Sequence, residues 1–449
     1  MFKREQFGDN FKWGVTISAF QNEGAPKSDG KGPSIWDTFT ANTNNINNGD
    51  AIGDACDFYN RYEEDIALVR TLGLDVFRFS ISWARILPYG RGKVNQAGID
   101  FYKRVIDCCI SNDLTPYVTI YHWDLPQALD DKGGWTNREI VDWFIAYLEI
   151  CVKAFGDKVS NWVVMNEPMS FTGLGYFMGY HAPSRKGINH FLKAAHHTVL
   201  CMAQGGAKIR ELQPHANIGV ALSCSYIKPV NQLPKHRRAA KRMQAMLNRF
   251  YLEPLLGLGY PTDVMPALKI IKTFFRKGDE ERMVFDFDFI GIQYYFRVVA
   301  RHSYTPPVLF ADEIPPRARK ANLNTMNLDV YPKGIYKLLK FYSSYPQIKE
   351  LIVTESGVCY PDFLVKDHVY DVRRMKYHQK MLKYIRKAQQ KGINAGGYFV
   401  WTLVDNFEWK EGFEPRFGLV HVDFETQQRT IKYSGKWFQS FLSKTASTN

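Results

Sequence analysis

The chain has 449 residues, more than one ordinary domain needs unless the fold is a barrel, because barrels often reach this size as one unit. Hydrophobic residues make up 45% of the sequence, enough for a buried core, yet they form no run of about 18 uncharged residues that could span a bilayer. The net charge of +13 has no accompanying motif of interleaved basic and aromatic residues, so we expect no nucleic acid partner and no membrane partner.

The seven cysteines are odd in number, and no two of them form the C-x-x-C spacing that suggests zinc or redox chemistry. Most lie in apolar periodic segments, so we expect reduced core residues. The N-terminal residues include no apolar segment typical of a secretory signal. The sequence therefore predicts a cytoplasmic protein and leaves its oligomeric state open.

Eight short β-branched or aromatic runs recur along the chain, each followed by a longer segment with apolar residues three and four positions apart. This alternation is typical of a parallel sheet whose strands are joined by helices. The predicted strands are residues 11–20, 76–82, 116–123, 162–166, 218–224, 287–295, 351–355 and 397–403. Eight such strands predict an α/β fold, a single (β/α)₈ TIM barrel in which residues 1–449 form one domain with long loops.

The segment after the second predicted strand illustrates the helical pattern. Its apolar stripe, which we expect to pack on the outside of the barrel, comprises Tyr102, Val105, Ile106, Cys109 and Ile110.

Two long connections, residues 40–53 and 305–324, interrupt the alternation without ending it. Compact domains usually keep connections of this length as binding loops or lids. Basic residues concentrate in 235–249 and 317–320, and we interpret them as solvated surface.

Polar and aromatic side chains stand where the predicted strands end. In a (β/α)₈ barrel the carboxyl ends of the strands build the active site, so we expect these side chains to meet in one cavity. They are Gln21, His122, Trp123, Asn166, Glu167, Tyr295, Glu355 and Trp401, with Glu408 and Trp409 beyond the last strand.

Two of these strand ends carry the predicted chemistry. Glu167 follows an apolar strand, and its partial desolvation raises its pKa so that it can hold a proton near neutral pH. Glu355 ends a strand across the barrel and can stay ionised if Arg78 lies beside it. Two carboxyl groups whose pKa values are pushed apart are the apparatus of glycoside hydrolysis.

Other interpretations remain for single residues. His122 has no second histidine or cysteine at ligand spacing, and His196 and His197 face different directions on one helix, so we expect no metal and no cofactor. Either glutamate alone could be a salt-bridged acid at a strand end, and most of the tryptophans taken singly could be core residues. A sugar-binding barrel without catalysis is the alternative from another class of protein.

From about residue 7 to residue 441 the chain resembles family 1 of the glycoside hydrolases, the β-glucosidase family. The similar motifs follow one another in the family order. They are residues 11–14, 19–24, 34–37, 78–85 with Pro88, 121–126, Asn166-Glu167-Pro168, and Trp401-Thr402 through Glu408-Trp409.

The resemblance implies a retaining β-glycosidase, by default a β-glucosidase that removes terminal β-D-glucosyl residues from short oligosaccharides or from aryl and alkyl glucosides. It implies Glu167 as acid/base, Glu355 as nucleophile and Arg78 beside the nucleophile. The residues expected to bind this small-molecule substrate are Gln21, His122, Trp123, Asn166, Tyr295, Trp401, Glu408 and Trp409.

Branches of the family are distinguished by single positions. Glu408-Trp409 differs from the serine and basic cradle of the phospho-glycosidases, and Glu167 differs from the glutamine of the thioglucosidases. Activity on β-galactosides or β-fucosides stays open, because a glutamine and a carboxylate can meet an axial or an equatorial hydroxyl at C4.

Two positions depart from the family pattern. Ser356 stands where asparagine is usual after the nucleophile, and Gln293 stands where asparagine is usual on the sixth strand. We expect both to leave the chemistry intact and to affect hydrogen bonding around Glu355, and with it the balance between hydrolysis and transfer to another sugar.

Overall fold

A computed structural model describes residues 3–306 and 308–443. Its eight barrel strands are β1 (Lys12–Thr16), β2 (Val76–Ser80), β3 (Thr115–Thr119), β4 (Asn161–Asn166), β5 (Asn217–Pro229), β6 (Phe289–His302), β7 (Leu351–Ser356) and β8 (Ala395–Trp401). They pair in parallel in the order β5-β4-β3-β2-β1-β8-β7-β6, and the pairing of β5 with β6 closes the barrel. The predicted (β/α)₈ fold is confirmed.

One longer helix follows each strand. These helices are α1 (Phe58–Thr71), α2 (Gln96–Ser111), α3 (Ile140–Phe155), α4 (Ile188–Leu212), α5 (Pro234–Gln244), α6 (Gly334–Tyr342), α7 (Val372–Gln389) and α8 (Tyr433–Leu442).

Shorter elements fill the connections, most of them at the carboxyl ends of the strands. The short α-helices are Ala19–Asn22, Ile35–Thr40, Trp83–Ile86, Gln127–Asp130, Pro168–Thr172, Leu252–Leu255 and Asp279–Arg282. The 3₁₀ segments are Arg4–Phe7, Ser28–Gly30, Thr43–Asn45, Asn47–Gly49, Gly134–Thr136, Pro266–Phe274, Pro316–Arg319 and Trp409–Glu411, and the π-helical turns are Gly173–Phe177 and Ala245–Arg249. The remaining strands are Ala311–Glu313, Leu364–Val365, His368–Val369, Val420–Val422 and Arg429–Ile431.

Some strand boundaries differ from the predicted ones. The first strand ends at Thr16, and Ala19–Asn22 forms a helical turn held by a hydrogen bond from the Ala19 amide to the Ser80 hydroxyl. Strands β5 and β6 run past the predicted ends because they continue to pair with each other above the barrel. The sequence pattern gives no sign of this extension, since buried and partly exposed residues follow each other in blocks there and do not alternate.

The amino-terminal end of the barrel is filled by a compact apolar layer. Its buried members are Val76, Tyr117, Val163, Ala221, Phe289, Ile352 and Phe399. Glycines make room for the two largest rings: a Cβ at Gly14 would lie 2.4 Å from the Phe399 ring, and one at Gly219 would lie 2.4 Å from the Phe289 ring.

The predicted stripe of α2 is confirmed for four of its five residues. Tyr102, Val105, Ile106 and Cys109 are buried, whereas Ile110 is 45% exposed. The prediction for Ile110 was wrong because Ile110 lies at the edge of the stripe, and in the last turn of α2 only Cys109 still faces the barrel.

All seven cysteines are free thiols, six of them buried and Cys108 partly buried. Burial raises the pKa of buried thiols such as Cys151 and keeps them protonated. Within residues 3–306 and 308–443, no helix is both long enough and apolar enough to cross a bilayer.

Candidate active site

Hydrogen bonds and ring contacts link the side chains predicted from the strand ends into one site at the carboxyl end of the barrel. Glu355 lies in β7, Arg78 in β2 and Asn166 at the end of β4, and all three are buried. The parallel strands bring them together because every strand of the barrel ends at the same rim.

Glu355 is held by two donors. An Arg78 guanidinium nitrogen lies 2.6 Å from its Oε1, and the Tyr295 hydroxyl donates to its Oε2 at 2.8 Å. Burial raises the pKa of Glu355, while the charge of Arg78 and hydrogen bonds from Tyr295 and Gln293 oppose that rise. These donors stabilise the carboxylate form, as a nucleophile requires.

Glu167 stands in a different environment. It follows β4 with a left-handed backbone (φ 43°), and its amide donates to the Ala221 carbonyl at 2.8 Å. Burial and, after it, the negative charge of Glu355 raise the pKa of Glu167 to about 8. No cation pairs with Glu167 within the described part of the chain, so of the two carboxyls it is the one that holds a proton near neutral pH.

Asn166 connects three other polar side chains of the site by hydrogen bonds. Its Oδ1 accepts from Arg78 at 2.5 Å and from the Gln293 amide at 2.6 Å. Because a guanidinium can only donate, the atom of Asn166 that faces Arg78 must be the oxygen. The Asn166 nitrogen therefore faces His122, 3.0 Å from its Nε2.

This geometry fixes the proton on His122. The amide nitrogen of Asn166 can only donate, so His122 Nε2 must accept, and the ring carries its proton on Nδ1. Burial lowers the pKa of His122 well below its usual value and keeps the ring neutral. Its Nδ1 is buried and has no hydrogen-bond partner among the described residues, so it is free to donate to a ligand hydroxyl.

Gln21 and Glu408 form a second polar group. The Gln21 amide donates to the Phe407 carbonyl at 2.9 Å and lies 3.4 Å from a Glu408 oxygen. Burial raises the pKa of Glu408 to about 8, and hydrogen bonds from Trp401 and Gln21 oppose the rise. The pair offers an acceptor and an amide side by side, which suits two adjacent hydroxyls of a sugar.

Indole rings form one wall of the site. Trp409 stacks on Trp123 with ring centroids 4.5 Å apart and touches Trp36 at 4.6 Å. Trp401 is buried, and its ring centroid lies 6.0 Å from that of His122. Flat aromatic surfaces of this kind suit the C–H face of a pyranose.

Two side chains of the site were not among the predicted binding residues. One is Gln293, which donates to Asn166 Oδ1 and whose own Oε1 is buried without a partner among the described residues. The other is Asn406, whose Nδ2 is also buried without a partner there. Strand alternation could have found Gln293, because Phe289, Gly291, Gln293 and Tyr295 share the inward face of β6. No comparable signal marks Asn406, which lies in a loop.

Ser356, which stands where the family usually has asparagine, faces away from the cavity. The Ser356 hydroxyl donates to the Tyr294 carbonyl at 2.9 Å and lies 2.7 Å from the Tyr377 hydroxyl of α7. It links β7 to β6 and to α7.

The two adjacent histidines of α4 are far from this chemistry. His196 Nε2 lies 2.8 Å from an Asp279 oxygen, and His197 Nδ1 lies 2.8 Å from the Trp135 carbonyl. Among residues 3–306 and 308–443 there is no group of three or more potential ligands that could hold a metal ion.

Together these features define a class of protein. Two buried carboxyl groups of opposite character, with polar and indole groups around them at the mouth of a (β/α)₈ barrel, are what a glycoside hydrolase needs.

The family model "Glycosyl hydrolase family 1" matches residues 3–447. β-Glucosidase A of Thermotoga maritima is 39% identical over 442 residues, covering 98% of each chain, and 1,4-β-D-glucan glucohydrolase of Thermotoga neapolitana is 37% identical over 99% of this chain and 100% of its own. The crystal structure of the family 1 β-glucosidase from Thermotoga maritima is similar, with a TM-score of 0.93 and 38% identity over 97% of both chains.

The chain therefore belongs to glycosyl hydrolase family 1. Hydrolysis with retention of configuration is general in this family, and the chain is a glycoside hydrolase of that kind.

Proposed function

We propose that this protein is a β-glucosidase in which Glu355 is the nucleophile and Glu167 the acid/base. Glu355 attacks the anomeric carbon while protonated Glu167 gives its proton to the leaving oxygen, so the glycosidic C–O bond breaks as the ester bond forms. Glu167, now a carboxylate, then takes a proton from water or from a sugar acceptor that attacks the glycosyl ester. Glu355 leaves, and the β configuration is kept.

The observation that carries this assignment is the contrast in partners between the two carboxyls. Arg78 and Tyr295 donate to Glu355 at 2.6 and 2.8 Å, which favours the anion. Glu167 has burial and a neighbouring negative charge, which favour the acid.

We further propose that the remaining side chains bind the glycone. His122 donates from Nδ1 to one hydroxyl, and Gln21 with Glu408 binds two others on the far side of the ring. Asn166 keeps one amide hydrogen for the hydroxyl next to the anomeric carbon, since the other points at His122. Trp401, Trp409 and Trp123 cover the apolar face of the sugar.

Glucosides are the proposed substrates, and cellobiose and other short β-linked glucosides are the proposed physiological ones. The support is the similarity to relatives named β-glucosidase and 1,4-β-D-glucan glucohydrolase, and to Thermotoga maritima β-glucosidase structures in complex with glucoimidazole and deoxynojirimycin. We also propose one catalytic domain for residues 1–449 and a cytoplasmic location, which the free cysteines support.

The first experiment measures initial rates on p-nitrophenyl β-D-glucoside, galactoside, fucoside and mannoside, with a chelator present. The variants are Glu355→Ala and Glu167→Ala. The matched control is Glu350→Ala, which changes a glutamate just before β7, at the opposite end of the barrel, where it pairs with Lys12. We expect the glucoside to be cleaved fastest, Glu355→Ala to be inactive and Glu350→Ala to stay active.

Added azide separates the two roles. With an activated glucoside, azide should restore turnover in both variants, giving the α-glucosyl azide for Glu355→Ala and the β-glucosyl azide for Glu167→Ala. Exchange of the two products would reverse the assignment. If the galactoside or fucoside is cleaved faster than the glucoside, the protein is a β-galactosidase or β-fucosidase of the same family. If the wild-type protein binds glucose analogues but cleaves no glycoside, it is a sugar-binding barrel without catalysis.

A further inference from the structure

Three helices of this molecule carry an excess of positive charge. Helices α5, α6 and α7 together contain fourteen Lys and Arg residues and no Asp or Glu. The other 44 Lys and Arg of the chain are balanced by 45 Asp and Glu, so the net charge of +13 resides on these helices. A charge distribution this uneven creates a long-range field on one side of the protein.

Helices α6 and α7 pack side by side and present six exposed lysines, which we call the basic face. They are Lys337, Lys340, Lys376, Lys380, Lys383 and Lys387. The four on α7 are spaced by four, three and four residues, so they lie in one row along the helix. The Lys387 ammonium lies over the Tyr336 ring of α6 at 5.2 Å, which joins the two helices into one surface.

The six cations lack acidic partners. Within residues 3–306 and 308–443, none of them forms an ion pair, although many other Lys and Arg of the molecule do. Like charges in one row repel each other, and this costs folding free energy unless an anion neutralises them.

An exposed hairpin adjoins the amino-terminal end of α7. Its turn carries the exposed, charged Lys366 and Asp367, whereas the flanking positions are mostly apolar, so we call it the apolar hairpin. Residues 363–370 contain the antiparallel pair Leu364–Val365 and His368–Val369. Phe363 is 73% exposed, Val365 54% and Tyr370 62%, and the apolar surface continues to Val372 at the start of α7 and to Tyr433, whose ring centroid lies 6.4 Å from that of Tyr370. Large apolar side chains gathered in one place mark an interaction site.

We propose that, contrary to the expectation from the sequence of no membrane partner, the basic face and the apolar hairpin bind the surface of a lipid bilayer that contains anionic lipids. The lysines attract the headgroups, and the hairpin side chains enter the boundary between headgroups and acyl chains. The absence of a spanning helix among the described residues does not bear on this mode, because surface attachment needs none.

The same residues argue against nucleic acid as the partner. All six cations are lysines, which are point charges and cannot make the bidentate contacts by which arginine reads phosphates and guanines. The side chains beside them include the aliphatic Leu364, Val365 and Val372 as well as aromatic rings; the rings could stack on bases, but the aliphatic side chains could not, whereas a bilayer accepts both. Aliphatic side chains next to lysines suit a bilayer.

Binding in this way would orient the enzyme. The hairpin follows the carboxyl end of β7, where Glu355 lies, and α7 starts at the same end of the barrel. Because the lysine row runs along α7 from this end toward the opposite one, binding would lay this side of the barrel along the bilayer, with the hairpin at the catalytic end. This inference goes beyond the proposed function and does not depend on it.

The test is co-sedimentation of the full chain with vesicles of phosphatidylcholine alone and of phosphatidylcholine mixed with phosphatidylglycerol, at low and high salt. We expect binding to the mixed vesicles only, weakened by salt. Lys376→Glu/Lys380→Glu/Lys383→Glu should lower the partition coefficient at least about tenfold. Phe363→Ser/Leu364→Ser should remove the binding that survives high salt.

The matched control is Lys93→Glu/Lys269→Glu/Lys277→Glu, which makes the same change in net charge with exposed lysines elsewhere. It should bind vesicles nearly as wild type does, and circular dichroism should show that every variant is folded. Wild type that ignores the mixed vesicles overturns the proposal. So does equal loss of binding in the two lysine variants, and so does binding to duplex DNA or to a second copy of the chain in place of vesicles.

Discussion

The two ends of the barrel are built from the same strands, but apolar packing fills one end and a network of buried hydrogen bonds occupies the other. At the amino-terminal end, Phe289 and Phe399 fill the interior by packing against glycines, and the layer around them is apolar except for the Tyr117 hydroxyl at its edge. At the carboxyl end, Arg78, Asn166 and Glu355 are as deeply buried, but each is held by specific donors and acceptors.

This contrast separates what stabilises the fold from what positions the site. An apolar layer stabilises the fold by filling space, so removing one of its side chains lowers stability without altering the chemistry of the site. A buried polar network has a fixed direction for each hydrogen bond, so one substitution reorients several groups at once.

The largest effect is expected at Arg78. Arg78→Met removes the cation beside Glu355 and one of the two donors to Asn166, so kcat/KM should fall about a thousandfold. The pKa of Glu355 should rise, moving the acid limb of the pH profile of kcat/KM to higher pH. Arg78→Lys keeps the positive charge but loses the guanidinium geometry that lets Arg78 donate to Glu355 and Asn166 together, so it should recover only part of the rate. A variant with an unmoved acid limb would contradict the role of Arg78.

The opposite end should respond in the opposite way. Phe289→Ala empties part of the apolar layer and should lower the free energy of unfolding by about 3 to 5 kcal/mol, because the neighbours relax only partly. At a temperature well below Tm its kcat and KM should match those of wild type. Urea denaturation and steady-state kinetics on the same preparation check both statements. A large fall in kcat would mean that the two ends are coupled.

The two ends also differ in how far the sequence predicts them. The eight strands follow from apolar runs, and the positions of Glu167, Glu355 and Asn166 follow from their place at strand ends, because a barrel gathers those ends. The aromatic and polar residues after β8 lie in a loop, and their family motif predicted them where periodicity could not.

The features that the sequence could not predict depend on how distant segments of the chain are placed and oriented in space. The extension of β5 and β6 above the barrel is partly exposed and has no alternation to reveal it. The proton position on His122 follows only once Asn166 is seen between Arg78 and the ring. The sequence-based interpretation of the basic segment 235–249 as solvated surface missed α6 and α7, whose lysines become one face only when the helices pack together.

The pH dependence comes from the carboxyl end alone. The pKa of Glu167 lies at about 8, so activity on substrates with poor leaving groups should fall roughly tenfold per pH unit above that value as the acid loses its proton. Glu167→Gln should abolish this limb. An unchanged limb in the variant would assign it to another group.

Stability should depend on buried carboxyl groups of the same end, but over a lower pH range. Glu167 and Glu408 both have pKa values of about 8 in the folded state, raised from the value near 4.5 expected when unfolded. Between these values the folded state holds protons that the unfolded state has released, so the free energy of unfolding falls as pH rises, by at most about 1.4 kcal/mol per pH unit for each group. Urea unfolding at several pH values, compared with Glu167→Gln/Glu408→Gln, should show a smaller fall in the variant.

The smallest expected effect is at Gln293, and it tests whether hydrogen-bond direction matters at the carboxyl end. The Gln293 nitrogen donates to Asn166 Oδ1, so its Oε1 is forced to be the unpartnered acceptor. Gln293→Asn shortens this reach by one methylene and should raise KM for the glucoside a few-fold with a smaller change in kcat. Measured on the same glucoside, the ratio of transfer to hydrolysis should shift as well.

Gln293→Glu provides the sharper comparison, since it keeps the length of the side chain and removes the donor. An ionised carboxyl there faces Asn166 Oδ1 and lies beside Glu355, so the variant should lose more activity than Gln293→Asn and regain part of it at low pH, where the new carboxyl is protonated. Gln389→Glu, at a glutamine that donates to the Phe7 carbonyl outside the active site, is the matched control and should leave KM unchanged. Equal activity of Gln293→Glu and Gln293→Asn at every pH would mean that only the volume of this side chain counts, as it does at the apolar end.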